Sequence, residues 1–175
     1  MPEKKTIERA RADKRAGKSA STQAGEFVKE EFDRVREGKH GVRSAKQAVA
    51  IGLSKARRAG VDLKPPAPGK TSEATRKKAA KDSAAGRGEK TGRASTESKA
   101  KRSRTTTQVL KGESRAGASP QAASKQAKTA AARRPAASRS AAAKKAAQTK
   151  GAAGRSAAAK KAAKTRAARA QHTRH

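Results

Sequence analysis

Apolar residues are rationed along this chain, and their spacing is helical wherever they cluster. Over residues 22–37, Ala24, Phe27, Val28, Phe32 and Val35 recur at intervals of three and four, one stripe of an α-helix. Glu26 and Glu30 stand early, where the helix dipole favours acids, and Gly38 follows as a stop. A second stripe runs through Ala45, Ala48, Val49, Gly52, Leu53 and Ala56 and predicts a helix over about 44–59. Its start, Ser44-Ala45-Lys46-Gln47, fits a capping box, in which the Ser and Gln side chains satisfy amide donors reciprocally. Its end has Lys55, Arg57 and Arg58 in the last turn, then Gly60 for a left-handed cap and Val61 to pack back on Ala56. Residues 3–16 predict a third, more polar helix with Ile7, Ala10 and Ala12 as its apolar positions, ended by Gly17.

The two better stripes form an αα-hairpin through the loop Gly38–Arg43. Its expected core is Phe27, Val28, Phe32, Val35, Val42, Val49, Leu53, Val61 and Leu63, with Ile51 off the stripe and exposed or touching a partner. Lys64-Pro65-Pro66-Ala67-Pro68-Gly69 then breaks any helix and marks a linker over 64–69. Beyond it the large apolar residues all but vanish, Val109 and Leu110 excepted.

Charge changes the picture of the second part. The chain has 46 Lys+Arg against 14 Asp+Glu, a net of +32 in 175 residues. Residues 1–63 carry +7 of this and residues 64–175 carry +25. The last acid is Glu113, and 16 basic residues follow it. Low hydrophobicity with high charge is a disorder signature. The expected fold class is therefore a small all-α N-terminal helical hairpin or bundle over 1–63, with the remainder, 70–175, an intrinsically disordered Ala/Lys/Arg-rich arm. Arg139-Ser140-Ala141-Ala142-Ala143-Lys144-Lys145-Ala146-Ala147 recurs identically at 155–163. Alanine has the highest helix propensity, and lysines repel at i,i+4. The arm is thus expected to gain helix over 138–149 and 154–170 only when phosphates neutralise it.

Function classes narrow accordingly. There is no cysteine, and His40, His172 and His175 are scattered, so neither a metal site nor a cofactor is expected. Gly86-Arg87-Gly88-Glu89-Lys90-Thr91-Gly92 lacks P-loop spacing, and no nucleophile–base constellation is present, so the chain reads as no enzyme. The first residues hold no apolar secretory segment, and no apolar run is long enough to span a bilayer. Two aromatics, both on the core stripe, give no stacking platform for single strands. What remains is a polycation that binds nucleic acid through phosphates, driven by counterion release. The expected ligands are Lys55, Arg57 and Arg58; Arg76, Lys77 and Lys78; Lys101, Arg102 and Arg104; Arg133, Arg134 and Arg139; Lys144, Lys145 and Arg155; and Lys160, Lys161, Lys164, Arg166 and Arg169. Arg76-Lys77-Lys78 and Lys99–Arg104 would also pass as nuclear localisation signals in a eukaryote.

The tail's Lys/Ala composition resembles the arms of linker histones and of bacterial histone-H1-like proteins. From Ser21 to Phe27-Val28, through Gly38-Lys39-His40-Gly41, to Arg43-Ser44-Ala45-Lys46-Gln47-Ala48-Val49-Ala50-Ile51-Gly52-Leu53-Ser54-Lys55-Ala56-Arg57-Arg58-Ala59-Gly60, the chain is similar to a small bacterial protein family of unknown function. That family carries isoleucine where Val49 stands here. The resemblance implies a bacterial source and names no activity. The resulting expectation is non-specific DNA binding and compaction, histone-like, in the bacterial cytoplasm on the nucleoid. Double-stranded DNA is the expected partner. An RNA- or ribosome-binding protein presents the same electrostatics. An adaptor would instead use residues 22–63 for a protein partner or homodimer, the tail only localising it.

Overall fold

The structure is a computed structural model and describes residues 2–89 and 98–172. Among these residues it consists of helices and their connections. In chain order they are α1 (Lys4–Arg15), α2 (Ala20–Arg36), α3 (Ala45–Arg58), α4 (Glu73–Gly86), α5 (Lys99–Gly112), a 3₁₀ turn (Ala116–Ala118), α6 (Pro120–Ala132) and α7 (Ala136–His172). The chain divides between Gln126 and Ala127 into two compact units.

Local chemistry sets the helix ends. Ser19, Ser44, Ser72 and Ser98 each accept a backbone N–H with the side-chain oxygen, at Thr22, Gln47, Thr75 and Lys101. Each satisfies one of the donors a helix start leaves unpaired. The box at α3 closes differently from the reciprocal pattern. The Gln47 amide oxygen accepts from the Arg43 backbone N–H at 2.8 Å, one residue before the cap. At the other end of α3, Gly60 adopts φ +86°. The Gly60 N–H donates to the Arg57 carbonyl, and the Val61 N–H to Ala56, which is the Schellman arrangement.

The bundle core forms where α2 packs on α3. One cluster gathers Phe32, Val35, Val42, Ala45, Ala48 and Ala118, with Val28, Val49 and Ile51 half-buried beside it. A second gathers Ala10, Ala24, Phe27, Ala56 and Val61, flanked by Ile7, Leu53 and Leu63. Ile51, expected outside the stripe, packs against the first cluster. The two helices approach closely at Gly52, where an added Cβ would lie 2.6 Å from the Val28 Cα. α4 lies across α3: Ala79 is buried, the Ser54 hydroxyl donates to Asp82 at 2.7 Å, and Gly86 sits against the Arg57 carbonyl with no room for a Cβ.

The segment 110–118 is a strap over the α2–α3 loop. The Gly41 N–H donates to the Leu110 carbonyl and the Val42 N–H to Ser114, both at 2.8 Å. Arg36 Nε donates to the Ala118 carbonyl at 3.0 Å, and Arg43 pairs with Glu113. Gly41 and Gly117 admit this backbone contact: a Cβ at Gly41 would run into the Glu113 carbonyl, and one at Gly117 would lie 2.5 Å from Val42 O.

These observations overturn the expectation of a disordered arm over 70–175. The described residues there are predominantly helical, and the strap contributes Ala118, fully buried, to the core. Three local signals outweigh lysine repulsion: serine caps at Ser72, Ser98 and Ser119, Pro120 at the first position of α6, and long alanine runs. The segments expected to fold only on binding, 138–149 and 154–170, both lie in α7.

Candidate nucleic-acid interface

The cations of this chain fall into two sets, one standing among the chain's acids and one beyond the last of them. The first set begins in the bundle. Glu31 is fully buried, and Lys55 Nζ lies 2.6 Å from its Oε2. On its other side, His40 Nε2 stands 3.3 Å from Oε1. His40 Nδ1 donates to the Gly41 carbonyl at 3.0 Å, which fixes the ring. Glu30 is also buried and faces Arg34 and Lys55, at 3.5 and 3.7 Å. Burial pushes the Glu30 carboxyl up. The Glu3 backbone N–H at 3.1 Å, the Thr6 hydroxyl, and the charges of Lys55 and Arg34 outweigh burial and hold it below its ordinary value.

The three expected phosphate ligands of α3 all have structural partners. Lys55 is held by Glu31 and Glu30. Arg57 is buried and donates to the Leu63 and Lys64 carbonyls, tying the start of the proline-rich connection to α3. Burial pushes its guanidinium below the ordinary range, opposed by the charge of Asp82. Arg58 is exposed and pairs with Asp82 at 3.7 Å.

α4 presents a mixed face. Arg76 makes a two-pronged contact with Glu73, at 2.8 and 2.9 Å, and Lys77 stands 3.9 Å from the same carboxylate. The hydrogen bond to Arg76 holds Glu73 below its usual range. A shallow depression on this helix is lined by Lys77, Lys78, Lys81 and Arg87 among alanines. A second, on α5, is lined by Ser103, Arg104, Thr107, Gln108 and Lys111. Lys101 and Arg102 are exposed on the same helix. Lys81, Arg87 and Lys111 are not among the expected ligands because they stand outside the basic clusters of the sequence. Their helical spacing from Lys77, Lys78 and Arg104 was the available signal.

The second set lies after Glu113, where the sequence has no acid at all. Arg133 and Arg134 follow α6, and Arg139, Lys144, Lys145, Arg155, Lys160, Lys161, Lys164 and Arg166 are exposed along α7. The side chain of Arg169 lies outside the described residues, as do residues 90–92 of the glycine-rich stretch and His175. Arg155 has a partner within α7: its Nη1 donates to the Ala147 carbonyl at 2.6 Å. The described residues contain no group of His, Cys, Asp or Glu able to hold a metal ion, and no helix long and apolar enough to cross a membrane.

Residues 11–67 match a family of unknown function (DUF6496). The match takes in most of the helical module and the proline-rich connection and ends before α4. No curated protein and no solved structure matches the chain. The DUF6496 segment thus contains the paired cations of α3 and the buried Glu30–Glu31–Lys55–His40 cluster. The strap that closes its core, and every cation of α4 to α7, lie outside it.

Proposed function

We propose that this chain binds nucleic acid non-specifically through the phosphate backbone, double-stranded DNA foremost, and compacts it in the manner of histone-like proteins. The carrying observation is the acid-free run after Glu113, whose described cations lie exposed, most of them on helices. A polycation of this kind gains free energy by releasing condensed counterions, a term indifferent to base sequence. The helices supply that charge on a largely preformed surface. The cation depressions on α4 and α5 add further phosphate contacts, while Lys55 and Arg57 serve the bundle. Compaction follows when several cation clusters on one chain engage separate stretches of duplex, each adding avidity.

The test is competition. A labelled mixed-sequence duplex bound to the full chain is challenged with duplexes of unrelated sequence and with structured RNA at about 0.15 M salt, where the Debye length is about 8 Å. Unrelated DNA duplexes should displace the probe equally, and RNA less well. One duplex winning by about 1,000-fold, the low end of the range that separates specific from non-specific binding, would mean base readout. RNA winning would make the chain an RNA binder.

A further inference from the structure

The nine-residue repeat and the break in α7 belong together. The two copies begin sixteen residues apart, at Arg139 and Arg155. Along an unbroken α-helix that interval advances about 24 Å and turns about 160° beyond whole turns. The Lys144–Lys145 and Lys160–Lys161 pairs would then point to nearly opposite sides of one rod. Only Lys145 and Lys160, about 60° apart around the axis, would share a face, so such a rod offers one duplex a single lysine of each pair.

α7 is not such a rod. Gly151, between the copies, has φ 65° and ψ 173°, non-helical values in a region essentially confined to glycine. Arg155, the first residue of the second copy, reaches back over the break to the Ala147 carbonyl. A helix end leaves its last carbonyls unpaired, so this guanidinium caps the first half with a group from the second. The break is thus an elbow with a pin across it. Ala147, whose carbonyl takes the pin, is the last residue of the first copy.

We propose that the Gly151 elbow lets both copies of the repeat grip one nucleic-acid duplex together, making α7 a two-point phosphate clamp. The inference rests on the nucleic-acid reading above and adds to it how the charge is presented. The ligand is double-helical DNA, contacted at two groups of phosphates by Lys144 with Lys145 and by Lys160 with Lys161. Arg155 is a positioning residue, and Gly151 supplies the angle.

The experiment uses the full chain and a single short mixed-sequence DNA duplex. Binding is measured against salt for the natural sequence, for Lys144→Gln/Lys145→Gln, for Lys160→Gln/Lys161→Gln, and for Gly151→Ala. The chain has no cysteine, so spin labels on Ser140→Cys and Ser156→Cys report the elbow directly in the same proteins. Each lysine-pair variant should lower the log–log salt slope by about 1.8, two phosphates' worth. Gly151→Ala should move the labels out toward the ~24 Å of a straight helix and lower the slope as much as removing one pair. In the Gly151→Ala background, removing the second pair should then cost only about 0.9 more, the one lysine of that pair left on the shared face. If Gly151→Ala straightens the helix and the slope holds, the clamp is overturned and the polycation reading survives. If the labels keep their natural distance in Gly151→Ala, the glycine does not make the elbow and the proposal fails. If neither lysine pair changes the slope, α7 is not the binding element, and both readings fall.

Discussion

Replacing Lys55 with methionine tests the buried ionic cluster at its centre. Lys55 Nζ is 2.6 Å from Glu31 and 3.7 Å from Glu30, and the Glu31 side chain is 0 % exposed. Methionine keeps most of the stem's volume and removes the charge, leaving Glu31 with His40 alone at 3.3 Å. Removing one partner of a buried pair costs about 3–5 kcal/mol, because the other charge stays buried. Two features place this case at the low end. Arg34 still faces Glu30, and the Lys55 side chain is 20 % exposed, so water reaches the site. The expected destabilisation is about 3 kcal/mol, a large fraction of the roughly 5–15 kcal/mol typical of a domain. Urea unfolding followed by helical circular dichroism measures it. Lys55→Met/Glu31→Met should recover most of that stability, since well-packed apolar pairs replace buried ion pairs at little or no cost. A destabilisation below about 1 kcal/mol for Lys55→Met, the range of exposed pairs, would mean that the cluster behaves as a solvated surface pair.

Three further outcomes are expected. Gly52→Ala drives a methyl to within 2.6 Å of the Val28 Cα; it should destabilise the bundle by about 1–3 kcal/mol despite alanine's better helix propensity, and a higher unfolding midpoint would contradict this. Gly117→Val cannot keep its approach to Val42 and Ser44; amide exchange at Gly41 and Val42, whose acceptors are the Leu110 and Ser114 carbonyls, should accelerate by roughly tenfold or more as the strap opens locally, read by NMR. Glu30 is held below its ordinary value of 4.5 in the folded chain, so the unfolded state takes up its proton first; its contribution is complete above pH 4.5 and is lost as pH falls through the depressed folded value. Urea midpoints against pH should show that decline, and Glu30→Gln should flatten the curve in that window.

The hairpin was legible because its signals are local. Ser44 caps α3, Gly60 ends it in a left-handed turn, and Phe27, Phe32 and Val35 sit on the buried face that their spacing places them on. α2 begins earlier than its apolar stripe, at Ala20, because Ser19 sets its start. The strap was not legible. It contributes a backbone path and Ala118 rather than a large side chain, and its bonds to Gly41 and Val42 span some seventy residues of chain. The helices beyond residue 70 run against a composition that offers little to bury. Yet Ser72, Ser98 and Pro120 were all readable as helix starts. Among the expected phosphate ligands, Lys55 and Arg57 looked like ordinary last-turn cations. Their partners, Glu31 on α2 and the Leu63 carbonyl, are set by tertiary packing that spacing along α3 does not reveal.

Whether the acid-free cations of α7 hold nucleic acid decides the proposed function. A salt titration of duplex-DNA binding measures this, comparing the full chain with a variant in which Arg139, Lys144, Lys145, Lys160, Lys161 and Lys164 are changed to glutamine. The natural chain should show a steep log–log slope. The variant's slope should be shallower by up to about 5, at roughly 0.9 for each phosphate no longer neutralised, with the bundle's unfolding transition unchanged. A variant that binds with the natural affinity and slope would contradict the proposal.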